Sequence, residues 1–184
     1  MSFNYDKCKV MYFGKNNAER EYKMDLGQNS PPHIIEKTLV ESDLGIMIAN
    51  DLKWIHQIDK AVQAAKAMIS QIRNSFTYFD AELVRLLYVS LIRPHLEYAV
   101  PVWSPYLRGE IENIENVQHR ATRLVPSVKK KNYEYRVKTL RLTTGKYTKN
   151  HVFHPQIGFH FIWGYLLLGL IFKFFGGGFN IVSF

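Results

Sequence analysis

The chain has 184 residues, a net charge of +8, 47% hydrophobic residues and 22% charged residues, which is the composition of a globular protein of one or two domains. Its single cysteine, Cys8, excludes an internal disulfide and a cysteine cluster for zinc or iron-sulfur chemistry, as suits a reducing, intracellular setting. The first ten residues carry charges where the apolar core of a signal peptide would lie, so we expect no such peptide.

Most of the net charge lies in one segment, residues 118–150. This segment holds ten Lys or Arg and a single acid, Glu134, whereas the rest of the chain is close to neutral. A concentrated cationic segment attracts polyanions because each neutralised phosphate releases counterions, and nucleic acid is the commonest such partner. The alternative is a solvated basic face that has no dedicated ligand.

The first predicted element is a strand over residues 7–13, KCKVMYF. Residues 15–32 are rich in Asn, Gly, Ser and Pro and predict a long polar connection. Two further apolar runs, 38–40 and 44–48, flank the polar triplet 41–43. The sequence therefore predicts a small antiparallel sheet in the first 50 residues, which would be only marginally stable by itself.

From Trp54 the spacing of the apolar residues becomes that of a helix. They form one stripe, with members three and four residues apart: Trp54, Ile58, Ala61, Ala65, Met68, Ile72 and Phe76. Lys53, Lys60, Lys66 and Arg73 lie outside the stripe, so we expect one side to pack and another to be cationic. The shortness of the stripe favours an intramolecular bundle over a coiled coil.

A short packed helix is predicted over residues 81–92, with Asp80 as its N-cap. Pro94 lacks an N–H and disfavours helical geometry at the preceding residue, so the sequence predicts a break at Arg93. A second short helix would then begin at Pro94 and carry Trp103 into the core. On composition alone this pair of helices is a core element with no chemistry of its own.

Another amphipathic helix is predicted from Ile111 to Leu124, with acids near its start, bases near its end and Pro126 as its terminator. Lys129, Lys130 and Lys131 should form a basic loop, and residues 133–142 a short basic helix. The predicted fold class is thus α+β and mostly α.

The character of the chain changes after Gly145. In the part after Gly145, the only uninterrupted apolar run is residues 161–172, which is shorter than the ~20 residues that span a bilayer. His151, His154 and His160 are not assigned as metal ligands, because no Cys or carboxylate lies among them.

Five stretches in series carry a more specific pattern: FNYDKCKVMYFGKNN, ESDLGIMIANDLKW, LLYVSLIRPHLEYAVPVWSPY, ENVQHRATRLVP and YEYRVKTLRLTT. In order and spacing they resemble the end of the reverse transcriptase of non-LTR retrotransposons, the LINE elements of the jockey type. The resemblance covers residues 3–144 and stops at Gly145, where the family continues in a charged helix.

The resemblance implies the last part of a right-hand polymerase. Residues 3–13 resemble the palm segment after the catalytic turn, with Lys7 as the candidate general acid in an intact polymerase. Asp43, Leu44 and Gly45 resemble the primer grip, a hairpin that holds the 3′ end of the growing strand. The helices that follow resemble the thumb, which lies along the primer-template duplex.

Four segments are expected from this resemblance: a palm remnant with a primer-grip-like hairpin, a helical thumb, a basic segment and an apolar tail unrelated to the family, at residues 1–50, 51–126, 127–150 and 151–184. The expected partner is an RNA-DNA primer-template. Its candidate contacts are Lys53, Lys60, Lys66, Arg120, Arg123, Lys129, Lys130 and Lys131.

The sequence departs from the family at the catalytic motifs. Reverse transcription needs carboxylates that hold two divalent metal ions, Mg in the intact family, and these come from a Phe/Tyr-Ala-Asp-Asp turn and an earlier Asp. Neither motif stands in the sequence. We therefore expect no metal ligands and no cofactor in this chain, and no DNA polymerisation by the chain alone.

Two alternatives stay open. One is a non-enzymatic helical protein held at a membrane by residues 161–175, since an apolar end beside a basic segment suits an anionic membrane surface. The other is a decayed element whose tail is read from out-of-frame sequence. The expected location is intracellular, in the cytoplasm or nucleus, with membrane association under the first alternative.

Overall fold

A computed structural model describes four stretches of the chain, the last as backbone only: residues 7–14, 17–25, 31–143 and 180–183. The described residues divide into two units: a strand unit up to Trp54 together with 180–183, and a helical unit from Ile55 onward. The predicted α+β class with mostly helical content is confirmed.

The strand unit is built around β1 (Lys9–Tyr12). The short strand β4 (Glu36–Lys37) pairs with it in parallel, and β7 (Asn180–Ser183) pairs with it antiparallel. Cys8, Val10, Tyr12 and Ile35 form the buried cluster of this unit. The β-prone run predicted at 7–13 is therefore a buried strand.

Two more strand pairs complete this unit. β2 (Lys23–Met24) pairs with β3 (His33–Ile34), and β5 (Val40–Asp43) pairs with β6 (Ile46–Ala49), both antiparallel. Small antiparallel pairings are thus confirmed, but the prediction of a single antiparallel sheet is wrong, because the pairs are separate and β1–β4 is parallel.

A hairpin turn joins β5 to β6 within residues 43–45, where the resemblance implied a hairpin. The polar triplet 41–43 lies inside β5, and the chain reverses at Leu44 and Gly45. Both turn residues have positive φ, 47° and 82°, as a two-residue type I′ hairpin turn requires.

The helical unit begins with α1 (Ile55–Ser75), which packs against later helices through the predicted stripe. Ile58, Ala61, Ala65 and Ile72 are buried, whereas Trp54 lies before the helix and Phe76 is 39% exposed. The three- and four-residue spacing of the apolar residues therefore predicted the packed face of α1 correctly. It did not predict the ends of that face, because helix ends fray.

The next helix crosses the predicted break without interruption. α2 (Ala81–Leu87) starts at Asp80, whose carboxylate accepts the Leu83 N–H at 2.7 Å, so the predicted N-cap is confirmed. A π-helical turn (Tyr88–Ile92) follows, and α3 (Arg93–Glu97) continues from it. The prediction of a break at Arg93 is wrong: its φ and ψ are −58° and −39°, which is helical.

The π-helical turn explains how the helix accommodates Pro94. In a regular helix the proline ring collides with the carbonyl four residues back, here Ser90, and leaves it without a donor. The Arg93 N–H instead reaches the Tyr88 carbonyl, five residues back, so this turn is wider. The extra room removes the steric reason for ending the helix.

The true reversal lies at Tyr98 and Ala99, where ψ of Tyr98 is 119° and φ of Ala99 is 52°. α4 (Val100–Trp103) starts there, and the fully buried Trp103 donates its indole N–H to the Tyr98 carbonyl at 2.7 Å. This bond connects the backbone at the end of α3 to the buried indole of α4.

The last two helices are α5 (Arg108–Thr122) and α6 (Tyr133–Thr139), and they pack against each other. Between them the turns around Pro126 place Val125 and Val128 in a cluster with Val84 and Leu140. The predicted terminator and the predicted short basic helix both correspond to observed elements.

No helix in the part of the chain that the structure describes is long and apolar enough to cross a membrane, and residues 161–172 lie outside that part.

Candidate nucleic-acid interface

The end of α5, the turns after it and α6 carry a series of exposed cations. We call them the basic surface: Arg120, Arg123, Lys129, Lys130, Lys131, Lys138 and Arg141. The two helices contact each other, and the intervening turns are anchored in the core by Val125 and Val128. The packing therefore gathers cations that span more than twenty residues of sequence into one region of the helical unit.

Carboxylates do not neutralise this region. The ion pairs among the described residues are Lys9–Glu36, Lys23–Glu21, Lys37–Glu19, Lys53–Asp51, Arg93–Glu97 and Arg108–Glu112. Within the described ranges no cation of the basic surface belongs to such a pair. Its positive charge therefore remains available to an external anion.

Two acids of α5 lie at the opposite end of that helix. Glu110 and Glu112 are in its first turns, and Glu110 accepts the Leu107 N–H at 3.4 Å. Ten residues of helix, about 15 Å, separate Glu110 from Arg120, an arrangement that suits the helix dipole. Glu115 in the middle of α5 and the exposed Glu134 on α6 are the acids nearest in sequence to the basic surface, and its seven cations outnumber them.

A buried arginine lies beneath the basic surface. Arg136 in α6 is only 4% exposed, and its guanidinium donates to Thr122 Oγ1 at 3.1 Å and to the Lys131 carbonyl at 2.6 Å. One of its terminal nitrogens lies 3.4 Å from His119 Nδ1. Arg136 thus joins α5, the lysine loop and α6.

Two aromatic rings stack next to this guanidinium. The ring centroids of His119 and Tyr133 are 3.4 Å apart at an interplanar angle of 14°, and the Arg136 guanidinium carbon lies 5.7 Å from the Tyr133 ring. Burial, with the charges of Arg136 and Arg123, lowers the pKa of His119. Burial, with the charge of Glu115, raises the pKa of Tyr133 to about 12. The neutral forms of both rings are therefore favoured.

The candidate contacts predicted on α1 and before it are distributed differently. Lys60 and Lys66 lie on α1, the first exposed and the second half-buried. Lys53 belongs to the strand unit, where it pairs with Asp51 at 3.3 Å. The candidates from Arg120 to Lys131 thus follow one another on α5 and the turns after it, whereas Lys60 and Lys66 lie on α1, which also packs against α5.

The residues predicted to be palm-like and grip-like lie in the strand unit. Lys7 is exposed just before β1, and Asp43, Leu44 and Gly45 form the tip of the β5–β6 hairpin, with Leu44 65% exposed. Among the residues that the structure describes, no group of three His, Cys, Asp or Glu side chains fits a metal ion. His151, His154 and His160 lie outside the described residues.

The sequence predicts Arg136 as one residue of a short basic helix, but it does not predict that Arg136 is buried. A signal was present, because Tyr133, Arg136, Val137 and Leu140 follow the i, i+3, i+4, i+7 spacing of one helix face. Val137 and Leu140 make that face apolar, which places Arg136 against the core.

No protein-family model, no curated protein and no solved structure matches the chain.

Proposed function

We propose that the helical unit binds nucleic acid along the phosphate backbone, as the thumb-like part of a non-LTR retrotransposon reverse transcriptase. The observation that carries this proposal is the basic surface, whose exposed cations have no carboxylate partner among the described residues. Because contacts to phosphate oxygens position a protein on a duplex without reading its bases, the expected binding is independent of sequence.

The role within the reaction is to hold the primer-template rather than to transfer nucleotides. The series of motifs supports placement after the catalytic turn, and the exposed tip at Leu44–Gly45 supports a grip on the primer end. An exposed lysine such as Lys7 lends only weak support to proton transfer. We therefore propose that this chain contributes duplex binding to a polymerase whose metal-dependent chemistry lies in other residues.

The salt dependence of binding tests this proposal. Affinity of the full chain for an RNA-DNA hybrid is measured from about 50 to 200 mM salt, and the slope of log affinity against log salt is about −0.9 per phosphate contacted. With the basic surface engaged we expect five or more contacts, and hence a slope of roughly −4 to −6. A flat response, or no binding at low salt, would contradict the proposal.

A charge-matched pair of variants locates the interface. Replacing Lys129, Lys130 and Lys131 by Gln should make the slope shallower by about 2 to 3, since three phosphate contacts are lost. The control replaces three lysines of the strand unit that already have carboxylate partners, Lys9, Lys23 and Lys37, by Gln. Both variants lose the same charge, so equal effects would show net charge to be responsible and would refute a localised interface.

The membrane alternative is tested in parallel with anionic lipid vesicles. Nucleic-acid binding predicts that hybrid competes the chain away from vesicles at equal phosphate concentration. Vesicle binding that resists the hybrid and disappears when residues 161–184 are removed would favour the membrane-attached protein instead.

A further inference from the structure

The lysine loop, residues 129–131, has few bonds of its own. Its backbone is linked through turn-type hydrogen bonds, Val128 N–H to the Val125 carbonyl and Lys129 N–H to the Pro126 carbonyl, both at 3.4 Å, and Lys131 N–H to the Val128 carbonyl at 2.9 Å. Two of these bonds are long. Three adjacent ammonium groups repel one another, so weak turn bonds alone would hold such a loop poorly.

Two contacts from outside clamp the loop. Val128 packs at its N-terminal side in the cluster with Val84, Val125 and Leu140. At its C-terminal side the Lys131 carbonyl accepts from the Arg136 guanidinium at 2.6 Å, which is shorter than any backbone bond of the loop. A bond from a charged donor is about twice as strong as a neutral one.

The guanidinium that makes this contact is itself held from a second side. Thr122 Oγ1, fully buried at the end of α5, accepts from Arg136 Nε at 3.1 Å, and the Thr122 hydroxyl donates to the His119 carbonyl at 3.0 Å. No carboxylate of the described residues forms an ion pair with Arg136. Its orientation therefore depends on these neutral acceptors.

We propose that Arg136 is a positioning residue, which fixes the backbone of Lys129, Lys130 and Lys131 so that their ammonium groups are arranged for a phosphate backbone before it arrives. This inference rests on the proposed function. Arg136 itself is buried and touches no phosphate; its effect is to remove the ordering cost of the loop from the binding step.

The charge-conserving substitution Arg136→Lys is the first test. A lysine keeps the positive charge but cannot span Thr122 and the Lys131 carbonyl at once, because the planar fork is lost. The control, Arg123→Lys, makes the same change at an exposed position of the basic surface. Limited trypsin digestion with mass spectrometry measures cleavage after residues 129–131 and, as an internal reference, after Lys66 within α1.

We expect Arg136→Lys to accelerate cleavage at the loop about tenfold relative to Lys66, the factor that losing one charge-assisted bond gives in a local opening equilibrium. The slope of hybrid binding against salt should become shallower by about one to two contacts although the net charge is unchanged. Arg123→Lys should change neither quantity. Equal acceleration at the loop and at Lys66, or none at the loop, would overturn the positioning role.

A second pair guards against a variant that fails to fold. Thr122→Val removes the acceptor that orients the guanidinium, and Thr122→Ser keeps the hydroxyl. Faster loop cleavage in the first and wild-type cleavage in the second support the proposal, whereas identical behaviour of the two refutes it. If the wild-type chain binds no hybrid, the proposed function fails, and the digestion still decides whether Arg136 orders the loop.

Discussion

Single residues in this protein adopt costly conformations where the chain must reverse. Leu44 at the hairpin tip has φ of 47°, and Ala99 between two helices has φ of 52°. Left-handed backbone costs a residue other than glycine roughly 1 to 2 kcal/mol. Ala99 is buried and gains packing in return, whereas Leu44 is 65% exposed and gains little from burial. Leu44, like Leu52 with φ of 57° and an exposure of 61%, thus carries strain that burial does not offset.

Leu44→Asn should stabilise the β5–β6 hairpin by about 1 kcal/mol, because Asn tolerates left-handed backbone and Asn-Gly suits a type I′ turn. Native-state hydrogen exchange of the strand amides measures the gain. The control is Leu39→Asn, which replaces a leucine of similar exposure, 57%, whose φ is not positive, and should give no gain. A loss of stability in Leu44→Asn would show that the exposed leucine makes a contact worth more than its strain.

Trp103 is the residue whose replacement should cost the helical unit most. Trp103→Phe removes the hydrogen bond from the buried indole to the Tyr98 carbonyl and reduces the packed volume, which together should lower the free energy of unfolding by about 2 to 3 kcal/mol. Urea denaturation followed by circular dichroism measures the change. Tyr106→Phe, at a 59% exposed position, should stay within about 0.5 kcal/mol of wild type.

At the scale of elements, the α2–π–α3 segment shows that a proline need not end a helix. Tyr88, Ile92 and Leu96 are buried at successive intervals of four residues, so a continuous helix keeps all three in the core. A break at Arg93 would have given up part of that burial, each such side chain being worth about 1.5 to 3 kcal/mol. Widening the helix by one π-helical turn therefore costs less free energy than ending the helix at Arg93.

The start of that helix offers a test of local structure. Asp80→Ala removes the acceptor for the Leu83 N–H and should lower the free energy of unfolding of the helical unit by about 1 kcal/mol. Asp80→Asn keeps an oxygen acceptor and should cost much less. Urea denaturation of both variants measures the difference, and an equal loss in the two would mean that the carboxylate charge, not the cap bond, is what matters.

At the scale of the whole molecule, the two units differ in how their lysines are paired. Four lysines of the strand unit form ion pairs, whereas the cations of the basic surface in the helical unit form none among the described residues. His119 and Tyr133 lie beside Arg136 in the same unit, and the shifts in their pKa values favour the neutral form of each ring. The interior beneath the basic surface therefore links stability to pH.

Stability should fall on both sides of neutrality because of these two rings. The pKa of His119 is lowered in the folded chain, so below the unfolded value of about 6.5 the unfolded state binds more protons and the free energy of unfolding decreases as pH falls. The pKa of Tyr133 is about 12, so between about pH 10 and that value the unfolded state loses its proton first and stability decreases as pH rises.

The substitution His119→Phe separates the acid branch from other titrations. Phe keeps a flat ring against Tyr133 and cannot be protonated, so urea unfolding measured from pH 5 to 7 should show a flatter dependence than the wild type. Tyr106→Phe, remote from the stacked pair in sequence and exposed, serves as the control and should leave the slope unchanged. An unaltered slope in His119→Phe would assign the acid dependence to other groups.

The sequence by itself determined the elements that depend on near neighbours. The apolar period identified the buried face of α1, Asp80 marked a helix start, and the density of lysines and arginines after Gln118 located the basic surface. These features are local, since a helix face needs only residues three and four apart and a cap needs only the next turn.

Only the tertiary structure decided the features that depend on distant partners. The helix passes Pro94 because burial of Leu96 on the same face outweighs the proline's preference. The burial of Arg136 is likewise a tertiary outcome: its acceptors on Thr122 and Lys131 reach it only when α5 and α6 pack together. Composition showed how much positive charge the segment holds, and packing decided which cation is buried and which ones face solvent.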